Sequence, residues 1–109
     1  MTTIYNKAIR DKIPGLIENS GKRGIVKQLS DEEFLPELEK KLNEEVNEYL
    51  SSMDIEELVD IIEIVNRILE LRNVSRKDFD SIRLEKMKNR GVFDSNYFLI
   101  EVRDLPDET

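Results

Sequence analysis

Neither cysteine nor histidine occurs in this chain of 109 residues. Without cysteine there are no disulfides, no thiolate nucleophiles and no sulfur-based zinc clusters. Without histidine there is no imidazole base and no nitrogen ligand for a metal. No apolar run approaches the roughly 18 residues of a membrane-spanning helix. The opening MTTIYNKAIRDK has no apolar centre of the kind a signal peptide carries. The chain therefore reads as a soluble, cytoplasmic protein. Charged residues make up 38% and hydrophobic ones 39%, a balance that argues against disorder over most of the length. Residues 1–109 are enough for one domain with a modest core.

The formal net charge of −7 hides a segregation. Residues 1–29 hold six Lys/Arg against two Asp/Glu, residues 30–73 hold four against fourteen, and residues 74–109 hold seven against eight. An acidic block of that size repels itself unless something neutralises part of it. Most of its acids are expected on a solvated face. A cation site needs only a few of them. The same block disfavours a nucleic-acid partner, because phosphate contacts call for clustered basic residues.

Local signals predict a mainly all-α fold with short extended or strand pieces at both ends. Pro14, Gly15, Gly21 and Gly24 punctuate an irregular opening. IRDKIPGLIENSG is expected to hold a brief helix ending at Gly21, and GIVKQL is a candidate short strand. Ser30 and Glu33 form a capping box at the head of a helix. Pro36 is either a kink in that helix or its first residue, and the helix runs to about Leu50. After SSMD, Asp54 caps a second helix ending near Asn73. Ser75 caps a third, which Gly91 stops. NYFLIEV is a candidate strand or an extended tail.

At about 100° per residue, the apolar side chains of the second helix cover well over half its circumference. A helix in a simple surface role shows a narrower stripe. Burial on two sides is expected, the second neighbour being another copy of the chain. The irregular N-terminal segment is the alternative cover.

Two helices carry acids where apolar residues are expected. Leu35, Leu38, Leu42, Val46 and Tyr49 trace the stripe of the first helix, and Glu45 falls within it. Glu48 lies one turn on. On the second helix Glu57 sits inside the apolar sector and Asp60 at its edge. Each helix thus offers an acid pair at i, i+3, on one face. The connection is short enough for an antiparallel hairpin, which brings the two pairs together. Four facing carboxylates are costly without a cation. An all-oxygen donor set suits Mg²⁺ or Mn²⁺ rather than zinc. One alternative stands for Glu57: DIEE is also a capping box, in which Glu57 reaches back to Asp54.

EEVNE from Glu44 and ELVD from Glu57 resemble the EExxE…ExxD signature of the MazG-like nucleotide pyrophosphohydrolases. These belong to the all-α NTP pyrophosphatase superfamily, which includes phosphoribosyl-ATP pyrophosphohydrolase and dimeric dUTPases. YNKAIRDKIP resembles the opening of the small phosphoribosyl-ATP pyrophosphohydrolase-like subgroup, and KMKNRGVF resembles its close. The resemblance runs from Tyr5 to about Val102. It departs at Ala8, where a larger apolar residue is expected, and at Pro36. It implies a helical hairpin completed into a bundle by dimers or tetramers. It implies that Glu45, Glu48, Glu57 and Asp60 hold Mg²⁺, with Glu44 beside them as a supporting acid or base. Glu44 and Glu45 would then be the catalytic acids. The implied reaction is attack of water on a nucleoside triphosphate, releasing a nucleoside monophosphate and pyrophosphate. Carboxylates and a divalent ion suit that chemistry.

Lys7, Arg10, Lys12, Lys86 and Arg90 are candidates for the substrate phosphates. Each is alternatively a solvated surface charge. Tyr5, Tyr49 and Phe93 are candidates for stacking on a base, or core residues. Two further readings stand beside the first. One is the phosphoribosyl-ATP step of histidine biosynthesis. The other is a non-catalytic helical interaction module with a vestigial metal site.

Overall fold

The computed structural model describes residues 1–107 and contains four helices: α1 (Ile13–Asn19), α2 (Asp31–Ser52), α3 (Ile55–Leu71) and α4 (Arg76–Arg90). No strand occurs among the described residues. The chain divides into two compact units, Met1–Ser75 and the stretch from Arg76 onward. The first holds α1 to α3. The second holds α4 and the extended segment that follows it.

The helix boundaries follow from local chemistry. Ser30 accepts from the Glu33 N–H at 3.2 Å, and Glu33 accepts from the Ser30 N–H at 3.3 Å, which closes the capping box. Those bonds hold the Glu33 carboxyl below its ordinary pKa, the Ser30 backbone bond contributing most. Pro36 lies inside α2, five residues beyond Asp31, so the helix does not begin there. Met53 closes α2 in the left-handed region (φ 58°), its N–H donating to the Tyr49 carbonyl at 2.7 Å. Gly21 (φ +84°) ends the α1 region and Gly91 (φ +80°) follows α4, both in a conformation that favours glycine.

Asp54 caps α3, but by a different bond from the expected box. Its carboxylate accepts from the Glu56 N–H at 3.0 Å. Its own N–H donates to Ser52 Oγ at 3.1 Å. The N–H that Glu57 would bind under the capping alternative is thus taken by Ser52, and the Glu57 carboxyl faces Glu45 and Glu48.

The candidate strand at residues 24–29 is corrected to coil, and residues 96–102 take the tail alternative rather than a strand. Residues 24–29 and 96–102 have strand composition, yet neither has a second strand to take up its N–H and C=O groups.

α2 and α3 pack against each other as a hairpin joined by two residues. Arg67, late in α3, reaches Asp31 at the start of α2 (3.8 Å), so the helices run antiparallel. Leu38 of α2 and Ile64 of α3 are buried at the centre, and Phe34, Leu42, Ile68 and Leu71 pack around them. The third buried member is Ala8, from the N-terminal arm. The arm therefore lies across both helices, anchored by a methyl group.

α3 has two apolar sectors. Ile61, Ile64, Ile68 and Leu71 lie on the side of the hairpin core. Ile55, Val59 and Ile62 lie on another side and are 67%, 57% and 61% exposed. Within the first unit no element covers them.

Candidate functional site

Glu44, Glu45 and Glu48 project from α2, one helical turn apart at most, and Glu57 and Asp60 from α3. Carboxylate oxygens of Glu44, Glu45 and Glu48 lie within 4.8 Å of one another, and so do those of Glu45, Glu57 and Asp60. Glu45 belongs to both groups. It is 5% exposed, as deep as the apolar core. One of its oxygens, Oε1, faces Lys41 Nζ at 3.5 Å. The other, Oε2, is buried with no hydrogen-bond partner. A buried acceptor without a donor is costly, and more so on an acid.

Glu57 carries the electrostatic consequence. Its pKa is raised from the ordinary 4.5 to about 7, first by the facing Glu45 carboxyl, then by loss of water and by Glu48. Like carboxylates at that distance cannot all ionise cheaply, so a proton is retained near neutrality.

Three cations offset part of the charge. Lys41 lies on α2 itself. The other two come from the arm: Lys7 Nζ donates to Glu44 at 3.1 Å, and Arg10 Nη2 donates to Asp60 at 2.6 Å. The bond to Glu44 raises the Lys7 pKa. Lys7 also lies over the ring of Tyr5, 5.6 Å from its centre. A cleft of about 630 Å³ opens beside Glu44, Glu48 and Glu57, lined also by Lys40, Asn43 and Asn47.

The five expected acids therefore come together, and two of the five expected cations join them. Lys12 is exposed at the head of α1, with no ion pair among the described residues. Lys86 and Arg90 lie on one face of α4, in the second unit. Tyr49 is half-buried, while Tyr5 and Phe93 are exposed. Lys41 was missed by the sequence reading. Its i, i+4 spacing to Glu45 is the signal that would have found it.

The donor set fits a hard divalent cation. It is all oxygen, and it contains a buried oxygen with no donor.

No family model and no solved structure matches the chain. A protein of Mycolicibacterium smegmatis (strain ATCC 700084 / mc(2)155), described as uncharacterized, is 48% identical over 40 residues, covering 37% of this chain and 41% of that protein. The match thus spans about two fifths of the relative and brings no activity with it. Among the described residues no helix is long and apolar enough to cross a membrane.

Proposed function

We propose that the protein is a Mg²⁺-dependent nucleoside triphosphate pyrophosphohydrolase of the MazG-like kind, with Mn²⁺ as an alternative ion. The observation that carries this reading is Glu45. A buried carboxylate with an unpartnered oxygen, shared by two acid groups, calls for a cation that none of the protein's own side chains supplies at that oxygen.

Glu45, Glu48, Glu57 and Asp60 would hold the ion. Bound there, the ion would neutralise phosphate charge and favour attack by water. Glu44 stands at the cleft edge, where it can accept the proton of the attacking water. Water adds to phosphorus, the phosphoanhydride bond breaks, and the nucleoside monophosphate and pyrophosphate leave. Glu57 would give up its proton on loading, because a divalent charge reverses the repulsion that holds it. The expected setting is the cytoplasm, and the expected assembly is a homo-oligomer built on the open apolar side of α3.

Pyrophosphate release over a panel of NTPs, dNTPs and phosphoribosyl-ATP, with Mg²⁺ varied, tests the reading. Turnover that requires the metal and disappears in Glu45→Gln is the expected result. Failure of every nucleotide in the panel, phosphoribosyl-ATP included, would leave the interaction-module reading in its place.

A further inference from the structure

The N-terminal arm is tied to the acid site in an uneven way. Ala8, buried at 6% exposure against Leu38 and Ile64, fixes its middle. On one side of that anchor Lys7 reaches α2 through Glu44, and on the other Arg10 reaches α3 through Asp60. Each cation holds one member of one acid group. Neither touches Glu45, the member common to both, whose Oε2 is left without a partner.

The exposure of these pairs differs from that of the inner one. The Lys7 and Arg10 side chains are 38% and 50% exposed, whereas Lys41 beside Glu45 is 16% exposed. Half-exposed ion pairs are worth little net. A divalent cation seated at Glu45 would compete for Glu44 and Asp60 on favourable terms. The released ammonium and guanidinium would still be held at the site's rim by the buried Ala8. There they suit an anion with several phosphate oxygens, Arg10 through its planar fork.

We propose that Lys7 and Arg10 are exchangeable counter-ions. Each holds a carboxylate of one helix until a divalent cation takes it, then turns to the polyphosphate anion, so that cation and anion bind cooperatively. This rests on the reading of the acids as a divalent-cation site. The coupling is reciprocal, as any such linkage must be. It gives the arm a task beyond bracing the hairpin.

The full-length chain tests it with two probes, Mg²⁺ and inorganic pyrophosphate. Calorimetry reports whether Mg²⁺ binds. Side-chain ¹⁵N NMR of Arg10 reports whether its guanidinium stays fixed. Saturating Mg²⁺ should free the Arg10 signal to the state seen without metal in Asp60→Asn, and pyrophosphate should then fix it again. Arg10→Gln should tighten Mg²⁺ binding measured alone by a few-fold. It should weaken pyrophosphate binding to the metal-loaded chain by about tenfold, the worth of one charged hydrogen bond. Opposite signs on the two ligands are the signature. A static brace would weaken both together. An Arg10 signal that Mg²⁺ leaves unchanged, in a chain that does bind Mg²⁺, overturns the exchange alone. Absence of Mg²⁺ binding overturns the cation site as well.

Discussion

At the residue scale the site turns on two carboxyls. Glu45 is buried and short of a donor, so Glu45→Gln should abolish pyrophosphate release. Metal-free stability should change little or rise, since one of several mutually repelling acids has gone. Turnover of a responsive nucleotide and the melting temperature in chelator check both halves. Wild-type turnover would overturn the assignment. Glu57 makes a prediction about pH. Its folded pKa, about 7, lies above its ordinary 4.5. The folded chain therefore binds more protons than the unfolded one between those values. This contribution to stability is full below about 4.5 and is lost as pH rises through about 7. Metal-free melting temperatures should carry a downward component from pH 5 to 8 that Glu57→Gln removes. Equal slopes in the two proteins would contradict it. The inward aim of Glu45 was legible because helical periodicity fixes direction. The Lys7–Glu44 pair was not, since 37 residues separate them and no local pattern encodes the meeting.

The elements show what local chemistry decides and where it stops. Ser30 with Glu33, Asp54 and Gly91 marked helix ends correctly, because a cap is a bond between near neighbours. At Asp54 local reasoning left two roles open for Glu57, and the capping one is not taken. The Asp54 N–H donates to Ser52 instead. The strand expectation at residues 24–29 failed for a different reason, and at residues 96–102 the strand gave way to the tail alternative. Composition favours strands at residues 24–29 and 96–102, but pairing depends on what lies alongside, which no single segment contains. Two substitutions in α2 test its energetics. Ser30→Ala removes a side-chain cap and should cost about 1 kcal/mol. Pro36 is exposed within the helix and has no N–H to give, so Pro36→Ala restores a missing bond. The gain should be about 1 to 3 kcal/mol, with the unfolded chain's added freedom trimming the upper figure. Urea denaturation measures both. A destabilised Pro36→Ala would show that the proline ring, rather than the missing bond, matters there.

For the whole molecule, the question is what covers α3. Its breadth of apolar surface was legible in sequence, and one of the two expected neighbours is now identified. α2 and Ala8 cover the side of Ile64. The alternative cover, the N-terminal segment, does not reach Ile55, Val59 and Ile62, which stay open within the first unit. Only three apolar side chains in the described chain are buried, a thin core for a stable domain. Both facts favour a second copy over a free monomer. Metal adds to the same account: Mg²⁺ at a hundred times its dissociation constant should stabilise the fold by about 2.7 kcal/mol. A thermal melt with and without the ion reads that shift, and its absence would count against the cation site. The assembly itself is tested by substitution. Ile62→Lys places a charge on a side chain already 61% exposed. In a free monomer that change is nearly neutral, within about 0.5 kcal/mol. At an interface it leaves a charge desolvated and unpaired. Light scattering at micromolar concentration should give the wild-type chain at least twice its 12.8 kDa mass. Ile62→Lys should bring it down to a single chain, with a lowered melting temperature. A wild-type chain that scatters as a monomer would end the oligomer reading, and the open side of α3 would then need another cover.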